Sequence, residues 1–417
     1  MNEAAWTPPQ RVLFRFGFVY LLLYGFQLLQ NSALSDTFVT LGFVWHRLVP
    51  WLGQHVLGLS SDITGFTNGS GDTRYDWVLT GFFFVAALCA TLVWSLLARR
   101  LEHRKLHGIL RIGVRYALAD QLLEYGFAKA FPLQFPALGP ARLIEPFGDA
   151  SPMGLLWAFM GGSMAYQIFT GCMELLGGTL LLFRRTTTLG ALVAAGVTAQ
   201  VVALNFCYDV PVKLLSSHLV LMALFLLGPE LGRLADFFVL QRPTQPVSLD
   251  FTPASSRLRL AGRALQALLV AYLLGWNAFD GYRELRKSAL SPPLYGVWEV
   301  ESFQRNGARV PPLLTDPTRW RTLTGDRGAL QAFTMQGQRL FFGKIDVEKK
   351  LIPAKAFGVP GATSQDLSFE QPAPDVLVVK GKWNGDQVEA RCKLRPRESF
   401  LVVSRGFHLI NDFPFNR

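Results

Sequence analysis

For its first two-thirds the chain alternates long apolar stretches with short polar joints. After that it changes to a period of two. Apolar stretches of bilayer length lie near residues 12–30, 77–97, 109–131, 163–183, 188–206, 211–228 and 264–279. About 20 apolar residues in a helix cross the hydrocarbon of a bilayer, so the pattern predicts about seven transmembrane helices, the last of them short. The first stretch has no small-residue cleavage site after a short apolar core and reads as an uncleaved span. Gly161-Gly162 is expected to break the long run 155–183 into a short surface helix and a true span. In the fifth span Ala191, Ala195 and Ala199 recur every four residues and permit close approach of a neighbouring helix.

From about residue 294 apolar and polar residues alternate. In VEARCKL (388–394), Val388, Ala390, Cys392 and Leu394 alternate with Glu389, Arg391 and Lys393, which is the pattern of a half-buried strand. Asn384-Gly385 before it is a hairpin signal, and Gln336-Gly337 plays a similar role. Eight short strands are expected near 295–304, 318–323, 329–335, 339–348, 365–370, 375–383, 386–394 and 399–405. The predicted fold is a membrane all-α helical bundle over residues 1–290 and an all-β antiparallel barrel over 294–417.

The joints carry their own signals. Residues 31–75 form a long outer loop whose middle, with Trp45 and Trp51, reads as an interfacial helix interrupted at Pro50. The loop ends in NGSGDTRYDWV. Gly69 and Gly71 there make either a simple turn capped by Asp72 or a backbone nest for an anion or headgroup. In 205–213 Asp209 suits an N-cap and Pro211 the first turn of the sixth span. Residues 241–258 are a Pro- and Ser-rich linker.

Half of the residues are apolar and only 17% are charged, as in an integral membrane protein with a soluble part. The net charge of +11 does not point to nucleic acid, because it collects in alternate short loops. Arg99, Arg100, Arg104 and Lys105 follow the second span, Arg184 and Arg185 the fourth, and Arg233, Arg242, Arg257 and Arg259 the sixth. The other loops carry only Arg47, Arg74 and Arg142. This places the N-terminus on the cytoplasmic side, and the expected location is a bacterial inner (plasma) membrane. Charge does not orient the seventh stretch. Parity with the first six exports the C-terminal domain to the periplasmic side, whereas a surface-lying 264–279 leaves it inside. Cys89, Cys172, Cys207 and Cys392 form no Cys-x-x-Cys pair, so neither a disulfide framework nor a dithiol relay is expected.

The candidate chemistry lies in the third span, which carries Arg111, Arg115, Tyr116, Asp120, Gln121, Glu124, Tyr125 and Lys129. An ionisable group at mid-bilayer costs about 2.5–3.5 kcal/mol on insertion scales, so such groups face a partner or a wet cavity. Arg111 and Lys129 lie near opposite surfaces, within snorkelling reach. Tyr116, Asp120 and Glu124 share one face at i, i+4, i+8. Possible partners are Gln167 and Glu174, Gln200 and Asn205, and Lys213, Ser217 and His218 on the next three spans. Lys213 has a second reading as a partner of Asp209, four residues earlier. His218 has a second reading as a satisfied core histidine. The candidate catalytic set is therefore Asp120, Glu124, Lys213 and His218. The candidate cofactor-binding set is Arg115, Tyr116, Glu174, Gln200 and Asn205. Only His218 among six histidines lies in a span, so neither haem nor a metal is expected.

The Arg111…Gly126-x-x-Lys129 pattern, the run MELLGGTLLLFRRTTTLGAL (173–192) and the stretch 200–219 resemble DoxX-like membrane proteins over residues 76–235. More distantly they resemble vitamin-K-dependent carboxylase-like domains. The resemblance implies a four-helix core and a quinone-like lipophile or lipid between helices. It also implies a possible redox partner protein and an oxidoreductase component. Gly296-Val297-Trp298 resembles the Gly-x-Trp of lipocalin-like (calycin) barrels, which implies that Arg405 or Arg417 covers the Trp. Three roles follow: a redox component working on a quinone-like headgroup, a carrier of apolar ligands, and a scaffold that docks a partner.

Overall fold

The computed structural model describes residues 6–30, 35–59, 63, 69–98, 103–245, 255–288 and 292–416. Arg99, Arg100, Arg417, most of 60–68 and the linker residues 246–254 lie outside the described residues. The contacts divide the chain into two units, 1–134 with 165–283 and 135–164 with 284–417.

The first unit is helical. It holds α1 (Pro8–Gln30), α2 (Ser35–His55), α3 (Arg74–Leu97) and α4 (Arg104–Ala130). After the segment 135–164 come α7 (Met164–Leu182), α8 (Thr187–Cys207), α9 (Lys213–Leu227), α10 (Leu231–Phe238) and most of α11 (Ser256–Ser288). Six described helices are long and apolar enough to cross a membrane: α1, α3, α7, α8, the α9–α10 run and α11. Helix α4 sits between them in sequence. Its 27 residues span about 40 Å, and its charges keep it out of that apolar set. Where a short last span was expected, α11 has 33 residues and reaches about 50 Å, because polar turns extend its apolar middle at both ends.

The bundle core runs through Leu79, Phe83 and Ala87 of α3, Leu118 and Leu123 of α4, Leu181 and Leu182 of α7, and Met222 and Leu226 of α9. Two joints differ from expectation. Helix α2 continues through Pro50 without a break, with Trp45 packed on Phe82 and Phe83. Close packing of α8 runs along Gly190, Ala191, Ala194 and Thr198, while Ala199 faces outward. A Cβ on Gly190 would stand 2.8 Å from the Leu181 nitrogen, so the α7–α8 pair depends on that glycine.

The second unit holds α5 (Pro140–Ile144), α6 (Pro152–Gly162), the barrel and α12 (Leu401–Ser404). The break after Gly162 is where the sequence placed it, with Ser163 between α6 and α7. The strands are β1 (Gly296–Arg305), β2 (Ala308–Arg309), β3 (Trp320–Asp326), β4 (Ala329–Thr334) and β5 (Arg339–Lys344). They continue with β6 (Leu351–Ala356), β7 (Gln365–Ala373), β8 (Val376–Trp383) and β9 (Asp386–Arg395). They pair antiparallel in the order β2-β1-β3-β4-β5-β6-β7-β8-β9, and β1 also pairs with β9. The result is a closed eight-stranded barrel with β2 as a short addition to β1.

Turn chemistry sets the registers. Asn384 and Gly385 both take positive φ (51° and 94°), as a two-residue primed turn requires, between the paired Trp383 and Asp386. Arg327 and Gly328 do the same between β3 and β4. The expected last strand at 399–405 is instead a helical turn followed by α12, and the eighth strand is β6. Pro353 disguises β6 in the sequence. The β5 ladder reaches only Ala354 to Ala356, so the missing N–H falls beyond its end.

The barrel interior is filled by its own side chains. Rings of Phe303, Trp320, Phe341 and Trp383 form a chain with centroids 5.4, 5.2 and 5.0 Å apart. Trp298 and Phe303 are 1% exposed, and Trp320 and Phe341 0%. The Trp298 indole N–H donates to the Leu294 carbonyl at 2.9 Å. Arg405 does not cover it. That side chain reaches His408, Asn411 and the Phe415 ring. Opposite Trp298 and Leu323, which point inward, Val297, Thr322 and Thr324 point outward and are nonetheless buried. Helix α5 packs on β1 and β3 there, and a Cβ on Gly139 would meet the Asp326 carboxylate at 2.7 Å.

Two outcomes test this packing. Trp320→Ala should destabilise the barrel by about 3–5 kcal/mol in chemical denaturation, as for other buried aromatics. Burial pushes the Cys392 thiol up to about 12, with a smaller contribution from Glu301. Cys392 should therefore resist maleimide at pH 8 until the barrel unfolds. The stability that comes from keeping it protonated is present below the ordinary thiol value of about 8.5. It is lost as pH rises from there toward 12.

Candidate functional site

The charged face of α4 is positioned by glycines. A Cβ on Gly126 would lie 2.9 Å from Leu175, and one on Gly171 would lie 2.7 Å from both the Ala130 nitrogen and the Gly126 oxygen. Helices α4 and α7 therefore touch backbone to backbone. That contact brings Lys129 to Glu174, with its ammonium 2.8 and 2.7 Å from the two carboxylate oxygens. Both side chains are buried, and the Tyr125 ring lies 5.5 Å from the Lys129 nitrogen. Lys129 thus pairs inside the bundle instead of snorkelling. Arg111 is also buried and donates to the Leu226 carbonyl of α9 at 2.7 Å.

Arg115 is buried, donates to the Thr187 hydroxyl at 3.3 Å and lies 5.1 Å from the Tyr116 ring centre. The Tyr116 hydroxyl donates to the Leu182 carbonyl at 3.4 Å. These two candidates thus tie α4 to the α7–α8 joint. Asn205 is buried and donates to the Ser216 hydroxyl at 3.0 Å, joining α8 to α9. Gln200 faces outward from α8 and joins none of these groups.

Lys213 lies at the mouth of the bundle. Its ammonium is 2.9 Å from Asp209 and 3.9 Å from Asp72. The residue that caps α9 comes from another part of the chain. The two Asp72 oxygens accept from the Lys213 and Leu214 nitrogens at 2.8 and 2.9 Å. Asp209 takes positive φ (50°) in the joint, and Pro211 precedes the helix. The Gly71 N–H donates to the Pro211 carbonyl at 2.7 Å. The loop therefore serves α9, by the carboxylate's attraction to a helix N-terminus.

His218 is a satisfied core histidine. Its Nδ1–H donates to the Leu214 carbonyl at 2.7 Å, and its Nε2, 2.7 Å away, accepts from the Tyr20 hydroxyl. A carbonyl has no proton to give, which fixes that tautomer. The Tyr24 ring stacks on it at 3.8 Å. Tyr20 and Tyr24 are partners that helix-by-helix reading missed. Their signal is two tyrosines four apart in an otherwise apolar span.

Asp120 and Glu124 remain. Asp120 is buried, and Glu124 faces outward from α4 one turn nearer the mouth. The amide of Gln121 donates to Glu124 at 3.4 Å. Among the described residues no cation pairs with either carboxylate. The Arg111–Leu226 contact sets α4 against α9, and from it Asp120 lies about as far along α4 as His218 lies back along α9. The two share a depth, and the described hydrogen bonds do not join them. No group of metal ligands occurs among the described residues.

The uncharacterized protein YwoB of Bacillus subtilis (strain 168) is 36% identical over 124 residues, which are 30% of this chain and 79% of that protein. No family model matches, and no solved structure matches. Over that stretch the chain belongs to the family of YwoB.

The buried pair gives a test of the site's framework. Glu174→Gln or Lys129→Met alone should each cost about 3–5 kcal/mol, since each strands a buried charge. The double variant should recover much of that loss in a double-mutant cycle of thermal stability in detergent.

Proposed function

We propose that this protein is a multi-pass membrane component that binds the polar head of a quinone-like lipophile at the Asp120–Glu124 face of α4. One contrast carries this reading. Lys129, Asp72 and Lys213 find opposite charges or a helix end, whereas Glu124 opens outward with an amide as its described partner. A carboxylate facing out of a spanning helix is tolerated where it meets water, a cation or a ligand. A hydroxyl or carbonyl headgroup sliding in from the bilayer would meet Glu124 first and Asp120 behind it. The two carboxyls can give or take the protons that accompany quinone chemistry, and electrons would come from a partner protein. In this reading His218, Lys213 and the Lys129–Glu174 pair are the frame that holds α4, α7 and α9.

The carrier reading places the ligand in the barrel. The described interior is packed with aromatic side chains, so a ligand would meet the barrel at its rim or outer face. The barrel's place on the outer side has a separate support. Segment 135–164 joins the ends of α4 and α7 that the loop charges export, and it packs on β1 and β3.

Protein purified in mild detergent, extracted and weighed by mass spectrometry should carry a quinone in near-stoichiometric amount. Glu124→Gln should lose it about tenfold or more with thermal stability unchanged. Equal quinone in the variant, or none in the wild type, would overturn the reading.

A further inference from the structure

A second set of polar groups lies at the opposite end of the bundle, where α1 begins and α3 ends. Arg15 is 6% exposed, on the second turn of a helix long and apolar enough to span. One guanidinium nitrogen donates to the Ser95 hydroxyl of α3 at 2.9 Å. Its Nε is buried without a partner, and so is the Nε of Arg11, one turn earlier on the same face. Among the described residues no carboxylate pairs with either arginine. Ser95 lies in the last turn of α3, whose C-terminal carbonyls carry about half a negative charge. That does not neutralise two guanidinium groups.

Beside them runs an open apolar groove of about 580 Å³ between α1 and α3, lined by Pro8, Val12 and Phe16 on one side and Leu88 and Thr91 on the other. Its size falls within the roughly 300–1,000 Å³ of small-molecule sites. Arg15 follows Val12 and precedes Phe16 on α1, and Ser95 lies one turn beyond Thr91 on α3. Arg11 and Arg15 thus each stand one position before a lining residue of α1, Val12 and Phe16, beside the groove. Thr91, 6% exposed, is the polar residue in its wall, and its buried hydroxyl is without a partner.

We propose that this groove is a binding site for an anionic phospholipid. An acyl chain lies along Val12, Phe16 and Leu88. The hydroxyl of Thr91 donates to the ester carbonyl, and Arg15 and Arg11 hold the phosphate at the membrane surface. The order of the groups matches the order of parts in the lipid: chain, ester, phosphate. A guanidinium donates to phosphate in paired, charge-assisted bonds, which a zwitterionic headgroup shares with its own ammonium. This site is independent of the Glu124 face and stands or falls separately.

The full-length protein in detergent tests this by thermal unfolding with added phosphatidylglycerol, phosphatidylcholine or glycerol phosphate. Phosphatidylglycerol should raise the transition at concentrations at least about tenfold below those needed of phosphatidylcholine, and glycerol phosphate should do little. Arg15→Gln should abolish that preference. Val12→Trp leaves the arginines in place and fills the groove, so it should weaken binding of both lipids. Equal responses to the two lipids, or a preference that survives Arg15→Gln, would overturn the site. An equal response to glycerol phosphate would mean that the arginines bind a free anion and the groove holds no lipid chain. If Arg15→Gln does not fold, Val12→Trp decides: an unchanged response to phosphatidylglycerol would overturn the proposal.

Discussion

Everything in the helical unit depends on the contact between α4 and α7 at Gly126 and Gly171. Apolar helices gain little from each other in lipid, because the solvent is as apolar as they are. What holds them is close backbone packing and polar groups that have nowhere else to go. Without side chains at the crossing, Lys129 and Glu174 meet with both oxygens engaged. The pair fixes the rotation of α4, and that rotation decides what its other polar groups face. Arg111 then points to the α9 carbonyl, Arg115 and Tyr116 to the α7–α8 joint, and Glu124 to the outside.

The same logic separates frame from function. A histidine with both nitrogens bonded and a tyrosine stacked on it has its needs met within the protein. So does a carboxylate sitting on two backbone amides at a helix start. Among the described residues, an outward glutamate and a buried arginine find no opposite charge. Among the described residues these lie at opposite ends of the bundle, Glu124 toward the mouth and Arg15 where α1 begins.

Much of the architecture was legible in the chain. Span-length apolar runs gave the helices, the break after Gly162 fell where two glycines marked it, and Asn384-Gly385 set its hairpin. The misses have physical causes. Pro353 reads as a breaker unless the partner ladder is known to stop beside it. LVVS reads as strand because β-branched residues also begin a short helix. Pro50 reads as an interruption, since an interior proline loses a helix hydrogen bond, yet α2 runs through it with Trp45 packed on α3. For the site, the third span's polar face was visible as a list of residues, but the sequence does not give rotation. Asp72 capping α9 and Tyr20 bonding His218 join residues 142 and 198 positions apart, and no local pattern carries such pairs.

The joining of segment 135–164 to the barrel has a consequence in time. The surface that α5 covers belongs to β1 and β3, and β1 starts at Gly296 while α5 starts at Pro140. At about 5–20 residues per second, the ribosome needs on the order of 10 s to make the intervening chain. For that interval the face of α5 that packs on β1 and β3 is uncovered, while α6 already packs on Phe135 within the segment. Segment 135–164 is made first, and β1 and β3 meet α5 only when they follow.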